Sequence, residues 1–294
     1  MNTKVPDLPD AGDNKFTLRL ETVKEAALAR LNHCSNEVSS QLLDSVRIVY
    51  RTVDGHLPEA IGTCFLLELD GCKYLVTAAH VFDFTKEHSV YVAGDETLVL
   101  LQGNFWVTPT VTGSRRADKH DFAFQVLTDE MIAQLGAVRF IDAHETSLNR
   151  GTMDGRVYLA MGFPASRNKP KKIDPSRTSV QARAWTYHGT LHTDGKAARL
   201  IGASEADHLL LKHNHKYSRT FGGHRTRSVK PQGASGGVLI DLGVAHPDNL
   251  RPNAPCTWRL AGMLVEKHSG CDAILVIRIE VVMKAMRVSR ATSP

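Results

Sequence analysis

Long apolar runs are missing from this sequence: nowhere do about eighteen apolar residues stand together, the length a membrane-crossing helix needs. The N-terminal stretch holds Asp7, Asp10 and Asp13 with Pro6 and Pro9 and has no apolar h-region, so it reads as neither a signal peptide nor an anchor. A repeat of fixed period and a low-complexity tract are lacking too. The five cysteines, Cys34, Cys64, Cys72, Cys256 and Cys271, contain no CxxC pair. Such an odd set is expected as free thiols in a reducing cytoplasm. Excess charge is also scarce. Lys+Arg 36 against Asp+Glu 31 leaves +5, too little to announce a nucleic-acid binder without a concentrated basic face.

What is present is the composition of a globular protein, 42% hydrophobic, 23% charged and 6% aromatic over 294 residues, enough for one large domain or two lobes sharing a cleft. Thr22 and Glu25 form a capping-box pattern ahead of a helix whose signal weakens at Asn32 and Ser35. From Val46 the pattern changes to short β runs: Val46–Val53, Gly62–Leu69, Lys73–Thr77, Val90–Ala93 and Asp121–Leu127. If Asp70-Gly71 is a two-residue hairpin turn, Leu69 faces Cys72 and Cys64 faces Thr77. That spacing separates the Cys64 and Cys72 sulfurs by several residue pairs and argues against a disulfide between them. A helical connector, Thr128–Leu135, leads to a second set at Val157–Met161, Val180–His188, His208–His213, Gly237–Asp241, Arg259–Glu266 and Ala273–Ile277. Ile279, Val282, Met283 and Met286 then stand at helical spacing, predicting a final helix packed on the second lobe. The expected division is an N-terminal extension with a helix over 1–45, a first β unit over 46–127, a connector over 128–150, a second β unit with its helix over 151–288, and a tail over 289–294.

Three short patterns carry chemistry: Thr77-Ala78-Ala79-His80, Asp121-Phe122-Ala123 and Gly233-Ala234-Ser235-Gly236-Gly237. A serine that attacks a carbonyl needs a base for its proton, and a neutral imidazole serves best. That base needs an acceptor on its other nitrogen, the place of a buried carboxylate such as Asp121; Asp118, three residues earlier, is the competing candidate. Gly233 lets its own N–H and that of Ser235 converge where a tetrahedral intermediate would carry negative charge.

In these residues the chain resembles the trypsin-like serine peptidases of the chymotrypsin fold. Gly62-Thr63-Cys64-Phe65-Leu66-Leu67 is similar to the strand before that family's histidine, and Val157-Tyr158-Leu159-Ala160-Met161-Gly162-Phe163-Pro164 to its first strand of lobe two. The order His, Asp, Ser is the family's order as well. The resemblance spans about Val46 to Met286. It implies an all-β fold of two tandem six-stranded antiparallel barrels with an N-terminal and a C-terminal helix. It also implies a serine endopeptidase with His80, Asp121 and Ser235 as triad, Gly233 and Ser235 N–H as oxyanion hole, and neither metal nor organic cofactor. Two departures point to intracellular or bacterial-type members. Val81 follows His80 where secreted members carry a cysteine, and Ala234 precedes Ser235 where members activated by N-terminal cleavage carry an aspartate.

By the same resemblance Val229 is the floor of the pocket for the residue preceding the scissile bond, with Val265, Glu266 and Lys267 as one wall. An apolar floor disfavours Arg and Lys there. Medium apolar side chains are the first expectation, and acidic ones the second because of Lys267 and His268. The partners expected are a protein or peptide substrate and a regulatory protein, with no membrane. Nucleic acid is disfavoured: the basic stretches Lys212–Thr220 and Arg167–Arg177 read first as exposed loops at the cleft rim. His208, His213, His215 and His224 invite zinc but lack a completing Cys or carboxylate at a familiar spacing, so a solvated basic loop is expected. The alternative to an enzyme is a pseudo-protease, a peptide-binding module on the same fold.

Overall fold

The structure, a computed structural model, describes residues 22–53, 57–110, 113, 115, 118–148, 155–168, 182–214, 218–219, 225–226, 231–244 and 254–292. Helix α1 (Val23–Leu42) begins with the expected capping box, the Thr22 hydroxyl accepting from Glu25 N–H while the Glu25 carboxylate accepts from Thr22 N–H. It runs ten residues beyond Asn32, where local propensity fades. Burial of Ser35, Val38 and Leu42 sustains it there, so tertiary packing overrides the sequence signal.

Strands β1 (Val46–Val53), β2 (Leu57–Leu69) and β3 (Cys72–Thr77) follow as an antiparallel meander. The β2–β3 turn has Asp70 at φ 51 and Gly71 at φ 75, both in the left-handed region. This two-residue turn fixes the register as expected, with Leu69 opposite Cys72 and Cys64 opposite Thr77. Cys64 and Cys72 are accordingly free thiols. Helix α2 (Ala79–Asp83) caps the end of β3. The sheet is completed by β4 (Val90–Ala93), β5 (Leu98–Leu100), β6 (Trp106–Val107) and β7 (Ala123–Val126) in the order β5-β4-β1-β2-β3-β7-β6. After helix α3 (Asp129–Leu135), capped by Thr128, β8 (Ile141–Asp142) pairs in parallel with β2 just past the last residue that β1 covers. Lobe one thus has eight strands and not six. Among the described residues its edge strands β5 and β6 do not pair with each other.

Lobe two is built from β9 (Arg156–Gly162), β10 (Trp185–Gly189), β11 (His208–Lys212), a small hairpin β12 (Ser218–Arg219) and β13 (Arg225–Thr226), then β14 (Val238–Val244), β15 (Arg259–His268) and β16 (Ala273–Arg278). A short helix, α4 (Lys196–Ile201), sits between β10 and β11. The sheet order is β10-β9-β14-β15-β16-β11. A bridge between Leu191 and Leu211 closes it, with Lys212 N–H donating to Thr190 and His192 N–H to Leu210. The expected strand start at Val180 lies outside the described residues, and β10 begins at Trp185. These two sheets in tandem, antiparallel except for the β2–β8 pair and flanked by α1 and a C-terminal helix, make the all-β architecture that the sequence resemblance implies.

Two expectations need correction. Cys34 of α1 and Cys256, ahead of β15, form a disulfide 222 residues apart in sequence, so the free-thiol reading fails for this pair. Nothing in the sequence spacing signals a bond over that distance. The final helix α5 (Ile279–Thr292) extends past Met286 and does not pack on lobe two alone. It buries Ile279, Val282, Met283 and Met286, then places Arg287 on the Asp70 carboxylate at 2.8 Å and Arg290 on the Asp70 carbonyl, both in lobe one. No described helix is long and apolar enough to cross a membrane.

Candidate active site

His80 sits in the first turn of α2, directly after the buried Thr77-Ala78-Ala79 segment. Its Nδ1 lies 2.5 Å from Asp121 Oδ2, and its backbone N–H donates to Asp121 Oδ1 at 2.9 Å. The carboxylate therefore holds both the ring and the main chain of one residue, which sets the imidazole's orientation and leaves Nε2 outward. The Asp121 side chain is 5% exposed and that of His80 37%, an anion buried behind a ring that reaches solvent. Asp118 instead faces the Arg115 guanidinium at 3.9 Å.

The strand expected to start at Asp121 begins only at Ala123. Phe122 N–H folds back to the His120 carbonyl in a three-residue turn, and this bend aims the carboxylate at His80. Lobe two fastens the same loop. His208, 4% exposed, places Nε2 3.0 Å from the Lys119 carbonyl, while its Nδ1 lies 3.2 Å from Ser204 N–H. Nδ1 also lies 3.1 Å from the Ser204 carbonyl, so main-chain groups hold both ring nitrogens. Burial pushes the His208 pKa down, against the Lys119 and Ser204 hydrogen bonds. Lys119 Nζ reaches Glu266 at 3.4 Å and His120 Nε2 reaches Asp207 at 3.3 Å. Burial alone would raise the Glu266 pKa, but the His268 hydrogen bond and the His268 and Lys119 charges outweigh it and hold it low.

Ser235 stands in a turn that only glycine permits. Gly233 has φ 88, and a Cβ there would meet Ala165 N at 2.6 Å. Gly236 has φ 83, and a Cβ would lie 2.0 Å from the Thr63 carbonyl and 3.0 Å from Ala78 N. The serine turn is thus seated against the backbone that leads into His80. Thr63 makes the joint: its N–H donates to the Ser235 carbonyl at 3.0 Å, its hydroxyl donates to the Gly233 carbonyl at 2.9 Å and accepts from Phe163 N–H at 2.8 Å, and its own carbonyl accepts from the Thr77 hydroxyl at 2.6 Å.

Within the turn, Ala234, Gly236 and Gly237 N–H donate to the Pro231, Leu264 and Ala234 carbonyls. Gly233 N–H and Ser235 N–H have no acceptor among the described residues. Among those residues His80 Nε2 has no hydrogen bond to Ser235 or to any other side chain. Ala234 is buried against Gly162. Leu264 N–H donates to the Gly237 carbonyl at 2.8 Å, which sets the β15 residues Val265, Glu266 and Lys267 beside the serine turn. Val265 is buried, and Glu266 and Lys267 are half-buried. Val229 lies outside the described residues.

The nearby thiol is no rival nucleophile, since burial pushes Cys64 up to about 12. The expectation of a solvated basic loop is corrected for two of its histidines. His208 is the buried clasp described above, and His213 is fully buried against the rings of Trp185 and Tyr187. His215 and His224 lie outside the described residues. The joint made by Thr63, its bond from the Thr77 hydroxyl and the clasp of His208 on Lys119 were not read from the sequence. A polar residue inside an otherwise apolar strand, as at Thr63, was the signal available for the first.

No protein-family model and no curated protein matches the chain. Among solved structures it is similar to one described as Glu endopeptidase in complex with MPD, at 16% identity over 82% of this chain and 90% of that one, with a TM-score of 0.43. It is also similar to a chain from work on the intrinsically disordered Sesbania mosaic virus VPg protein, at 15% identity over 82% and 88% of the two chains and a TM-score of 0.44. At these scores the functional reading rests on the geometry of the site itself.

Proposed function

We infer that the chain is a serine endopeptidase working through Ser235, His80 and Asp121. The observation that carries this reading is the two-point hold of Asp121 on His80, combined with a serine turn seated on the backbone of Ala78. Asp121 accepts from the ring at Nδ1, so Nε2 is the lone pair available as base. Ser235 gives its proton to Nε2 and attacks the peptide carbonyl. The resulting oxyanion takes the two unused amides, Gly233 N–H and Ser235 N–H. His80 then returns the proton to the leaving amine, and water repeats the sequence on the acyl-enzyme. No step needs a metal or an organic cofactor.

In this reading Val265, Glu266 and Lys267 border the side chain preceding the scissile bond. Glu266 is engaged by Lys119 and His268, so the wall is a balanced ion cluster and not a free anion for Arg or Lys. Ala234, packed in apolar surroundings, offers no carboxylate for a newly cut N-terminus, so activity needs no cleavage near residues 40–50.

The missing Ser235–His80 hydrogen bond favours the second reading, a module that holds peptides without cutting them, although such bonds often tighten only with substrate. Ser235→Ala decides between them. A casein or peptide-library assay should lose at least about a thousandfold in rate with unchanged folding. Parent-like cleavage by the variant would sink the serine mechanism, and a parent that binds peptides without cleaving them would favour the module.

A further inference from the structure

The disulfide joins α1 to the segment ahead of β15 in lobe two, and two other metal-binding side chains stand near its Cys256 sulfur. His33 Nε2 and Glu37 Oε2 are 3.3 Å apart, one helical turn along α1. Their ligand atoms and the Cys256 sulfur all lie within 4.8 Å of one another. Cys34, bonded to Cys256, lies between them in sequence. At about 100° per residue Glu37 lies about 40° and Cys34 about 100° around the helix from His33, and Cys256 comes from lobe two. Two thiolates, an imidazole and a carboxylate make a tetrahedral set suited to zinc.

We propose that Cys34, Cys256, His33 and Glu37 form a structural site for Zn2+ or a similar thiophilic divalent cation whenever the disulfide is reduced. A dithiol reductant breaks the S–S bond, supplies two electrons and two protons, and leaves as its own disulfide. Binding of the cation then releases both cysteine protons to solvent. The 3.3 Å between His33 Nε2 and Glu37 Oε2 suits this, and Cys256 stands within 4.8 Å of both, while the Cys34 sulfur must turn toward them. Nitrogen and oxygen ligands about 2.0–2.1 Å from zinc stand about 3.3 Å apart, and thiolates about 2.3 Å from it stand about 3.8 Å apart. Reduction frees both sulfurs to rotate apart, their Cα atoms standing 5.3 Å from each other. A cavity of about 320 Å3, lined by Cys34, Cys256, Arg30 and Pro255, borders them and gives them space. Oxidised or reduced, α1 then stays fastened to lobe two, by a covalent bond in one state and by the metal in the other.

The test uses the full chain with Cys72 and Cys271, the remaining partly exposed thiols, replaced by serine. After anaerobic reduction and removal of metal, Co2+ is titrated in and followed by optical absorption. One equivalent should produce thiolate-to-cobalt charge transfer in the near ultraviolet and the intense visible bands of a tetrahedral ion, and Zn2+ should abolish both. The oxidised protein should show neither. His33→Ala and Glu37→Gln, both at exposed positions that folding does not need, should each weaken Co2+ binding by more than about tenfold. Three results would overturn the proposal: no charge-transfer band in the reduced protein, a band that survives Cys256→Ser, or affinity unchanged by both exposed-site variants. None of these readouts depends on catalysis, so the proposed peptidase activity stands or falls separately.

Discussion

Two of the places where the halves of the molecule are joined are built by different physics. At the front seam, near Ser235, backbone touches backbone: Thr63 binds three main-chain groups of lobe two, and Gly236 fits where a Cβ would overlap the Thr63 carbonyl. At the back seam a helix is bolted on through Cys34–Cys256, the Gln41–Trp258 hydrogen bond and the contact of Arg30 with the Ala254 carbonyl. The front seam leaves no room for even a Cβ at Gly236. The back seam supplies stability across a long chain separation while leaving a cavity beside it. A reacting centre divided between lobes needs the first kind of contact, and holding the lobes together needs only the second.

Substitutions should separate the two. The largest effect is expected at Gly236→Ala, where positive φ and a 2.0 Å clash with main chain combine. Denaturant unfolding should show a loss of at least about 4 kcal/mol, or no folded protein at all. Behaviour within about 1 kcal/mol of the parent would mean the serine turn is not seated on lobe one as described.

Breaking the back seam should cost less and leave catalysis alone. Cys34→Ser in metal-free buffer should lower stability by about 2–5 kcal/mol, with kcat/KM below the melting range within about threefold of the parent. A collapse of kcat without a fall in Tm would erase the distinction between the seams.

Thr63→Val sharpens it from the front. The variant leaves buried Phe163 N–H without its acceptor, a cost of about 1–3 kcal/mol. It also frees the Gly233 carbonyl, so kcat should fall more than KM changes. Unfolding and steady-state kinetics on one preparation check both.

The smallest effect is pH-dependent. His208 has its pKa lowered by burial, so between its folded value and the unfolded value near about 6.5 the unfolded chain binds more protons, and stability drops as pH falls. Glu266, held low chiefly by His268 and Lys119 against its burial, adds a loss at still lower pH, as its carboxylate protonates. Each proton contributes at most about 1.4 kcal/mol per pH unit. Stability that is flat from about pH 7 to 5, or unchanged in slope by His208→Gln, would remove the clasp on Lys119 from the account.

The front seam was also the part legible in the sequence. Glycines at 233, 236 and 237, a threonine before two alanines and a histidine, and the Asp-Gly turn at 70–71 are local signals, because each answers a backbone demand within a few residues. The register of β2 on β3 followed from the last of them. The back seam was not legible. Cys34 and Cys256 are far apart in sequence with nothing between them to mark a pair, and α1 continues past Asn32 only because lobe packing buries Val38 and Leu42. The clasp of His208 on Lys119 was hidden for the same reason: a buried histidine and a solvated one look alike until the partner carbonyl, 89 positions away, is in place.

The most direct test of the central claim is labelling of the intact chain with a fluorophosphonate, followed by peptide mapping of the modified residue. A single stoichiometric adduct is expected on Ser235, lost in His80→Ala and in Ser235→Ala while both variants stay folded. An adduct on another serine, or labelling of Ser235 that does not depend on His80, would contradict it.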